Sequence, residues 1–567
     1  MKTLIQILIL FFGINTICYS QLPSNYPFKA IIDSHGDIYV AGDTLNPSNN
    51  TFEFVVKKYI NGILRWRYLV MNPNGDDRGM DLVVYEGVNS YVYATGYINN
   101  ASGNQILTVK LRSEDGTIVW SKEHSYPDCK GFAIALDLQS NPYITGYLKT
   151  ELMRKFITSK YSNNSGTILW TRTYSNRLSL GNDAGTDILL DSSYVYVIGQ
   201  TYNGPDLGND IVLLNYNLNG DSLEVNMYNK YKSNETPTSF VISSLANKGD
   251  KSRISLTSIS DATGIGMLPM SSYTTIAFKG GEHLDLHWAR TFKRTPGGQN
   301  FATSLDADAG GNLYVTGYSQ SGVSGFDYAT IKYTPEGNYG WQGKDTVVFY
   351  DMGSGNDKAS SIKVFHDSIY VTGSSELTPG GYKTVAYAQG NDGTVKYLWD
   401  RTFIPSFADE RGDVETAATL NIDTVTGNLI VMAMVWGENA ESKYAIQAIS
   451  PKGDILYTID NDAQSDNNII KNEPGKEINN LTNGLSQNYP NPFNPTTRIS
   501  YGLRNTDLVS IKVYTVLGDE VATLINEIQQ PGSHSVTFNG TDLSSGIYYY
   551  KIKSGNFEEV KRMILIK

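Results

Sequence analysis

Apolar and polar positions alternate along most of this chain in short runs, and turn residues separate one run from the next. Period-two alternation predicts half-buried β-strands, because successive side chains of a strand point to opposite faces. The runs recur in fours. In one clear copy they fall at about 302–306, 312–317, 327–333 and 339–343. That copy reads Leu305-Asp306-Ala307-Asp308-Ala309-Gly310-Gly311-Asn312-Leu313-Tyr314-Val315-Thr316-Gly317, then Tyr328-Ala329-Thr330-Ile331-Lys332-Tyr333, Gly337 and Trp341. Asp-x-x-Gly-Asn and Pro-Glu-Gly supply its turns, since Gly tolerates positive φ and Asp or Asn bonds its own backbone. Helical periodicity is nearly absent. Tyr makes up 39 of 567 residues, which suits pleated, half-buried surfaces.

A glycine ends the second run of most copies: Gly42, Gly96, Gly146, Gly199, Gly317 and Gly373. Neighbouring markers stand 50–56 residues apart wherever consecutive copies keep them. The copy over 237–291 lacks the glycine, at Ser255-Leu256-Thr257-Ser258, as does the last, Leu429-Ile430-Val431-Met432-Ala433. Counting both gives eight units. A four-stranded unit cannot bury both faces alone, so neighbours must stack, and a ring leaves only short edges. The expected fold is all-β: a β-propeller of eight blades, with seven the alternative if the 237–291 unit is distorted or expelled. The Asp-x-x-Gly-Asn-x-Tyr-Val-Thr-Gly pattern resembles the bacterial repeat named after the seven-bladed β-propeller, over about residues 28–460.

Composition divides the chain further. Met1-Lys2 and the apolar run Leu4–Phe12 read as a signal peptide over 1–20, cleaved after Ser20. A lipoprotein reading of Cys18 is the rival, and Ile17 is a poor residue before a lipidated cysteine. The propeller is expected over 21–460, a polar, Asn-rich linker over 461–485, and a separate module over 486–567. That module opens with three prolines, Pro490, Pro492 and Pro495, which fix an extended segment. Strands are predicted at 498–503, 508–515, 519–525, 533–538, 546–553 and 557–566, a small immunoglobulin-like β-sandwich. Asn488-Tyr489-Pro490-Asn491-Pro492-Phe493-Asn494-Pro495, Val513-Tyr514-Thr515-Val516-Leu517-Gly518, Leu543-Ser544-Ser545-Gly546-Ile547-Tyr548-Tyr549-Tyr550 and Lys561–Lys567 closely resemble the type A sorting domain of the type IX secretion system. The resemblance implies export to the periplasm and passage across the outer membrane by that machinery, to the medium or the cell surface. The mature chain would not insert in the membrane, and a monomer is expected.

Charge and reactive residues narrow the function. Net charge is −11, or −12 once Lys2 leaves with the signal. A mildly acidic, mixed-sign surface without a basic stripe argues against nucleic acid. After cleavage Cys129 is the only cysteine, so no intrachain disulfide forms, and its surroundings do not argue for a nucleophile. His283-x-x-x-His287 lacks the glutamate of a metalloprotease motif; in one strand these residues would stand about 13 Å apart. Ser113-Glu114-Asp115-Gly116-Thr117-Ile118-Val119-Trp120 departs from the aspartate box of sialidase propellers and reads as a turn before a core Trp. Asp76-Asp77, Asn182-Asp183, Asn356-Asp357, Asn300 and Asp409-Glu410 precede first strands. They could ring a calcium site or cap turns, and their repetition favours capping. Arg411-Gly412-Asp413, a cell-attachment tripeptide elsewhere, is read as chance. No nucleophile elbow, phosphate loop or dinucleotide fingerprint occurs, and no cofactor is implied.

These readings suit a secreted or surface-displayed binding scaffold for glycan or protein. A polysaccharide-active hydrolase or lyase and a structural matrix protein are the alternatives. Ligand contact is expected on the face carrying the longer loops Asp43–Thr51, Thr201–Asp210, Tyr318–Asp327 and Ser374–Tyr382, through Tyr202, Tyr318 and Phe326. Deleting 486–567 in a host with the secretion system should leave the protein in the periplasm. Fractionation and immunoblotting check this, and unchanged amounts outside the cell would reject the sorting role.

Overall fold

The computed structural model describes residues 29–566 apart from short stretches, the longest being 244–252, 263–269, 405–417, 460–468 and 472–483. Eight consecutive antiparallel sheets fill Lys29 to Ile459, each with a core of four strands paired in chain order. They run Lys29–Leu69, Arg78–Glu123, Cys129–Tyr174, Ala184–Tyr228, Asn234–Phe292, Asn300–Tyr350, Asp357–Phe403 and Ala418–Ile459. We number them blades 1 to 8. First strands touch the first strands of the neighbouring blades all the way round, including blade 8 against blade 1. The ring is therefore closed, with first strands at its axis. Second and third strands are buried almost throughout, and fourth strands form the exposed rim. Apolar clusters sit between blades, and one joins Ala30, Ile38 and Val40 to Ile430, Met432 and Ile446 across the closure.

The marker glycine has a steric cause. In blades 2 to 7 the first strand carries a β-bulge, one residue longer than its partner. The bulge turns a first-strand carbonyl into the second strand. A Cβ on Gly96, Gly146, Gly199, Gly317 or Gly373 would lie 1.9–2.1 Å from that oxygen. Blade 5 forms with Ser258 at this position, so the weak copy is a full blade and the count is eight.

Two latches join the blades. At the rim, a fourth-strand Trp lies under the turn glycine of the next blade and its indole N–H donates to a carbonyl of that turn. The donors and acceptors are Trp66 and Ser113 (3.0 Å), Trp120 and Asn163 (2.8 Å), Trp170 and Leu218 (3.2 Å), Trp288 and Pro335 (2.9 Å), and Trp399 and Pro451 (3.0 Å). The covering glycines are Gly116, Gly166, Gly220, Gly337 and Gly453, all at positive φ. Tyr457 takes the same place against Gly62 at the closure. Blade 4 has Glu224 there, and its carboxylate accepts from Leu284 N–H at 2.6 Å. At the axis, the residue after the bulge accepts an N–H of the next blade: Asp81 from Ile134, Ser239 from Leu305, Ser304 from Ile362, and Ser361 from Leu420.

Three differences from the sequence reading have local causes. In blade 6 the fourth strand is Val347–Tyr350, not 339–343. Tyr339 makes only an isolated bridge to Tyr333 and Gly340 N–H bonds Lys332 O at 2.8 Å, so no strand forms over 339–343, and Trp341 is buried against blade 7 from there. His283 precedes the strand Asp285–Phe292, which holds only His287. The polar segment after blade 8 contributes a strand, Ile469–Lys471, paired in parallel with the rim strand of blade 1; its two isoleucines are the apolar break in that segment. Arg411-Gly412-Asp413, Asp409-Glu410 and residues 1–28, the signal region included, lie outside the described residues.

Beyond Gly484, sheets of three and four strands share one core, with Ile499, Tyr501 and Phe538 from one and Val509, Ile511, Tyr550 and Met563 from the other. The sequence-predicted strands all appear, as a two-sheet sandwich. The proline-rich opening is pinned to it. Phe493 is buried and exchanges backbone bonds with Ile564 and Ile566, and Asn491 Oδ1 accepts from Ile564 N–H. Asn488 N–H donates to the Tyr550 hydroxyl at 2.7 Å.

Replacing three glycines by Ala should give graded losses of stability. Gly146→Ala drives Cβ into a backbone carbonyl and should cost about 3 kcal/mol or more. Gly166→Ala meets the Trp120 ring at 2.7 Å and should cost about 2 kcal/mol. Gly36→Ala, with open space around it, should cost about 1 kcal/mol for its left-handed backbone alone. Chemical unfolding of the three variants checks the order.

Candidate functional site

The blade meander sets two opposite ring faces. One carries the short Asp-x-x-Gly-Asn turns and the rim-latch turns. Their Asp side chains are engaged: Asp137 Oδ1 accepts Gln139 and Asn141 N–H, and its other oxygen lies 3.1 Å from Lys160 Nζ. Tyr39, Tyr143, Tyr196 and Tyr314 hydroxyls donate to the turn aspartates. The other face holds the ends of second strands and the starts of first and third strands.

The Asn and Asp residues of that second face act as caps. Asp77 Oδ1 accepts Asn99 N–H at 2.7 Å, and Asp76 accepts Phe52 N–H from blade 1. Asp183 accepts Asn176 N–H and the Thr201 hydroxyl. Asn300 accepts Arg294 N–H and the Ser319 hydroxyl, and donates to Ser271 O. Asn356 accepts Phe326 N–H. Asn182 lies outside the described residues.

The three sequence-predicted ligand residues all fall on this face, at strand ends rather than in loops. Tyr202 closes a second strand of blade 4 and pairs with Asn209. Tyr318 and Phe326 belong to blade 6, where the structure adds Phe301, cross-strand partner of Tyr318. Ring centroids are 4.9 Å apart for Phe301–Tyr318, 5.3 Å for Tyr318–Phe326 and 5.9 Å for Phe301–Phe326. All three rings are half-buried. The structure thus joins two of the three predicted residues into one cluster, with Tyr202 on another blade.

Blades 2 and 3 carry a different group on the same face. Arg78 and Lys130 start their first strands, paired with Tyr97 and Tyr147 just past the marker glycines. Lys130 Nζ lies 3.8 Å from the Tyr97 ring centre, and the Arg154 guanidinium 4.4 Å from that of Tyr147. Arg78 Nε is 3.5 Å from the buried Asp43 carboxylate. Lys130 and Arg154 form no salt bridge among the described residues. Burial, with Arg78 nearby, lowers the Lys130 ammonium to about 8.

A second group lies at the axis. Lys29, Asp81 and Asp187 occupy the first-strand position paired with the residue just before the marker-glycine position, where other blades have Ala133, Ser239, Ser304, Ser361 and Thr419. Lys29 Nζ stands 3.9 Å from Asp81, and its side chain is 47 % exposed. Asp81 raises the Lys29 ammonium. Burial, opposed by Lys29, raises the Asp81 carboxyl and pushes Asp187 up to about 6. Aligning the eight units in columns exposes this trio as charges among small residues; reading each unit separately does not. Cys129 is buried, its thiol pushed up to about 11 by burial, with Ile106 N–H donating to it, so it behaves as a core residue.

Residues 487–567 match the family described as the secretion system C-terminal sorting domain. The C-terminal sandwich is a type IX sorting domain, and the protein is exported by that route to the cell surface or the extracellular space. Solved structures are similar to the chain as well. BamB from Moraxella catarrhalis has 12% identity and a TM-score of 0.31, over 65% of this chain and 82% of its own. The polysaccharide lyase Uly1 has 12% identity and a TM-score of 0.37, over 69% and 93%. A polysaccharide lyase described as an ulvan lyase has 9% identity and a TM-score of 0.39, over 76% and 92%. No curated protein matches the chain.

The raised Asp187 carboxyl has a sign that can be measured. An unfolded aspartate loses its proton near ~3.9, and folded Asp187 keeps it to about 6. The native state then holds the extra proton between those values. Stability falls as pH rises through that window, by on the order of 1–2 kcal/mol after allowance for partial solvent exposure. Asp187→Asn should make the slope shallower by this amount, leaving the contribution of Asp81, whose carboxyl is raised in the same sense. Chemical unfolding of both proteins between pH 4 and pH 7 tests it, and equal slopes would refute it.

Proposed function

We propose that this exported propeller is a binding scaffold that recognises glycan or protein at the second ring face. The observation that carries this reading is the half-buried aromatic cluster Phe301, Tyr318 and Phe326 on a rigid blade. Aromatic rings fixed by a frame give large contact area at little entropic cost. The surrounding Asn and Asp groups cap backbone, which leaves the rings as the contact surface. Tyr202 belongs to the same face and extends it toward blade 4. A hydrolase or lyase would draw on Asp81 and Asp187, the only pair of carboxylates described at the bulge level of the axis. Asp81 already accepts two backbone N–H groups and faces Lys29, and Asp187 accepts Ile188 N–H. Binding is therefore the better-supported reading.

Tyr318→Ala with Phe326→Ala should weaken a ligand found on a glycan or peptide array at least about tenfold, and the unfolding midpoint should stay close to that of the parent. Adding Tyr202→Ala should weaken it further. Unchanged affinity, or loss only together with unfolding, would count against this face. Reducing-sugar or unsaturated-uronate release from polysaccharide by the intact protein would replace binding with catalysis.

A further inference from the structure

The rim between blades 6 and 7 departs from the repeat at three places that meet in space. Lys383 pairs with the marker glycine Gly373 in blade 7. The other blades set an uncharged side chain there, such as Val55, Leu107, Ile157 and Val212. Asp400 pairs with Val385, at a position that holds Ser121, Thr171 and Val225 in blades 2 to 4 and an acid in no other blade. Tyr397 stands where blades 2, 3 and 8 have Ile118, Ile168 and Ile455. Lys383 Nζ lies 2.8 Å from one Asp400 oxygen. The other oxygen accepts the hydroxyls of Tyr397 at 2.7 Å and of Tyr350, from blade 6, at 2.6 Å. The two Tyr rings are parallel within 7°, with centroids 6.4 Å apart. Tyr350 ends the shortest rim strand, of four residues, and Tyr397 belongs to the longest, of nine. The joints between the other blades form without such a group.

We propose that this part of the rim is a second ligand site, for a neutral glycan, separate from the ring-face site above. Tyr397 is 48 % exposed, with Tyr350 half-buried behind it. An aromatic face therefore meets solvent beside polar groups whose positions are fixed, and the C–H face of a sugar ring stacks on such a surface. Lys383 and Asp400 neutralise each other, so a charged ligand finds no unpaired counter-charge, and a purely aliphatic one would cover the pair without replacing its water. Hydrogen-bonding capacity of both kinds remains. The phenol oxygens donate to Asp400 and keep lone pairs to accept with. Lys383 bonds Asp400 and the Thr402 hydroxyl, at 3.0 Å, and has a third N–H. Sugar hydroxyls donate and accept at once, which matches this set.

The test is calorimetry on the full-length protein with neutral β-glucan and mannan oligosaccharides, polygalacturonate oligosaccharides and a poly-glutamate peptide. The expected result is binding of a neutral oligosaccharide, changed by less than about twofold between low and high salt. Tyr397→Ala should weaken it at least about tenfold with an unchanged unfolding midpoint, because the ring lies largely outside the core. Lys383→Val with Asp400→Thr gives blade 7 the residues of other blades, and should weaken binding to a similar extent in a folded protein; where this variant unfolds, Tyr397→Ala alone decides. A role confined to joining blades 6 and 7 predicts the reverse: lowered midpoints and unchanged affinity. Neutral-glycan binding that is lost in Tyr318→Ala with Phe326→Ala but kept in the rim variants overturns this site and leaves the ring-face reading in place. Binding only of the charged probes, or of nothing on the panel, overturns it too.

Discussion

The ring holds because a flat indole on one blade lies beneath a glycine turn of the next. Each contact needs a Trp reaching past its own sheet and a turn residue with no Cβ at positive φ, and the indole N–H closes it with a bond to that turn. Trp120 and Gly166 show the fit: a single added carbon would stand 2.7 Å from the ring. Such contacts add aromatic area to the apolar clusters that lie between neighbouring sheets. Where the Trp is replaced, the replacement still reaches the next blade. Glu224 does so with a carboxylate on backbone N–H, and Tyr457 with a ring on Gly62. Without any disulfide among the described residues, these joints and the axial bonds of Asp81, Ser239, Ser304 and Ser361 set the shape of the propeller.

That frame explains how polar groups divide on the molecule. The Asp of each short turn, the Asn and Asp caps and the hydroxyls of Thr186, Thr238, Thr303 and Ser360 at the bulges serve the backbone. Conspicuous polar residues such as Asp76, Asp77 and Asn300 are therefore poor guides to function, despite their repetition. The informative residues are those that depart from their column: Lys383, Asp400 and Tyr397 at the rim, Lys29, Asp81 and Asp187 among small side chains, and Phe301 beside Tyr318.

Much of the fold was legible because it is local. Four alternating runs per unit, turn glycines and the spacing of Gly42 to Gly373 were enough for eight blades and for the strands of the sorting sandwich. What stayed hidden lies between units. Gly116 and Trp120 share one turn in sequence, yet in space Gly116 covers Trp66 and Trp120 is covered by Gly166. Local spacing holds no information about which copy a side chain meets. The marker glycine, placed by the sequence at the end of the second run, lies inside the second strand as a clearance for a bulged carbonyl, and the bulge leaves no trace in binary patterning. Tyr318 and Phe326 were visible as aromatics near loops, but Phe301, fifteen or more residues away in sequence, joins them only through strand register.

The strand Ile469–Lys471 ties the two ends of the ring together. It follows the last blade in the chain and adds to the first one, in parallel. The sheet that begins the propeller thus gains its last strand only after every other blade has been made. Chain order and assembly order run in opposite senses at this one edge. Until the segment arrives, the rim of blade 1 presents open backbone, an edge prone to unwanted pairing. The segment also sits between the propeller and the sorting domain. A protease cutting beyond Lys471 would release a ring that keeps its clasp, while a cut before Ile469 would release one without it.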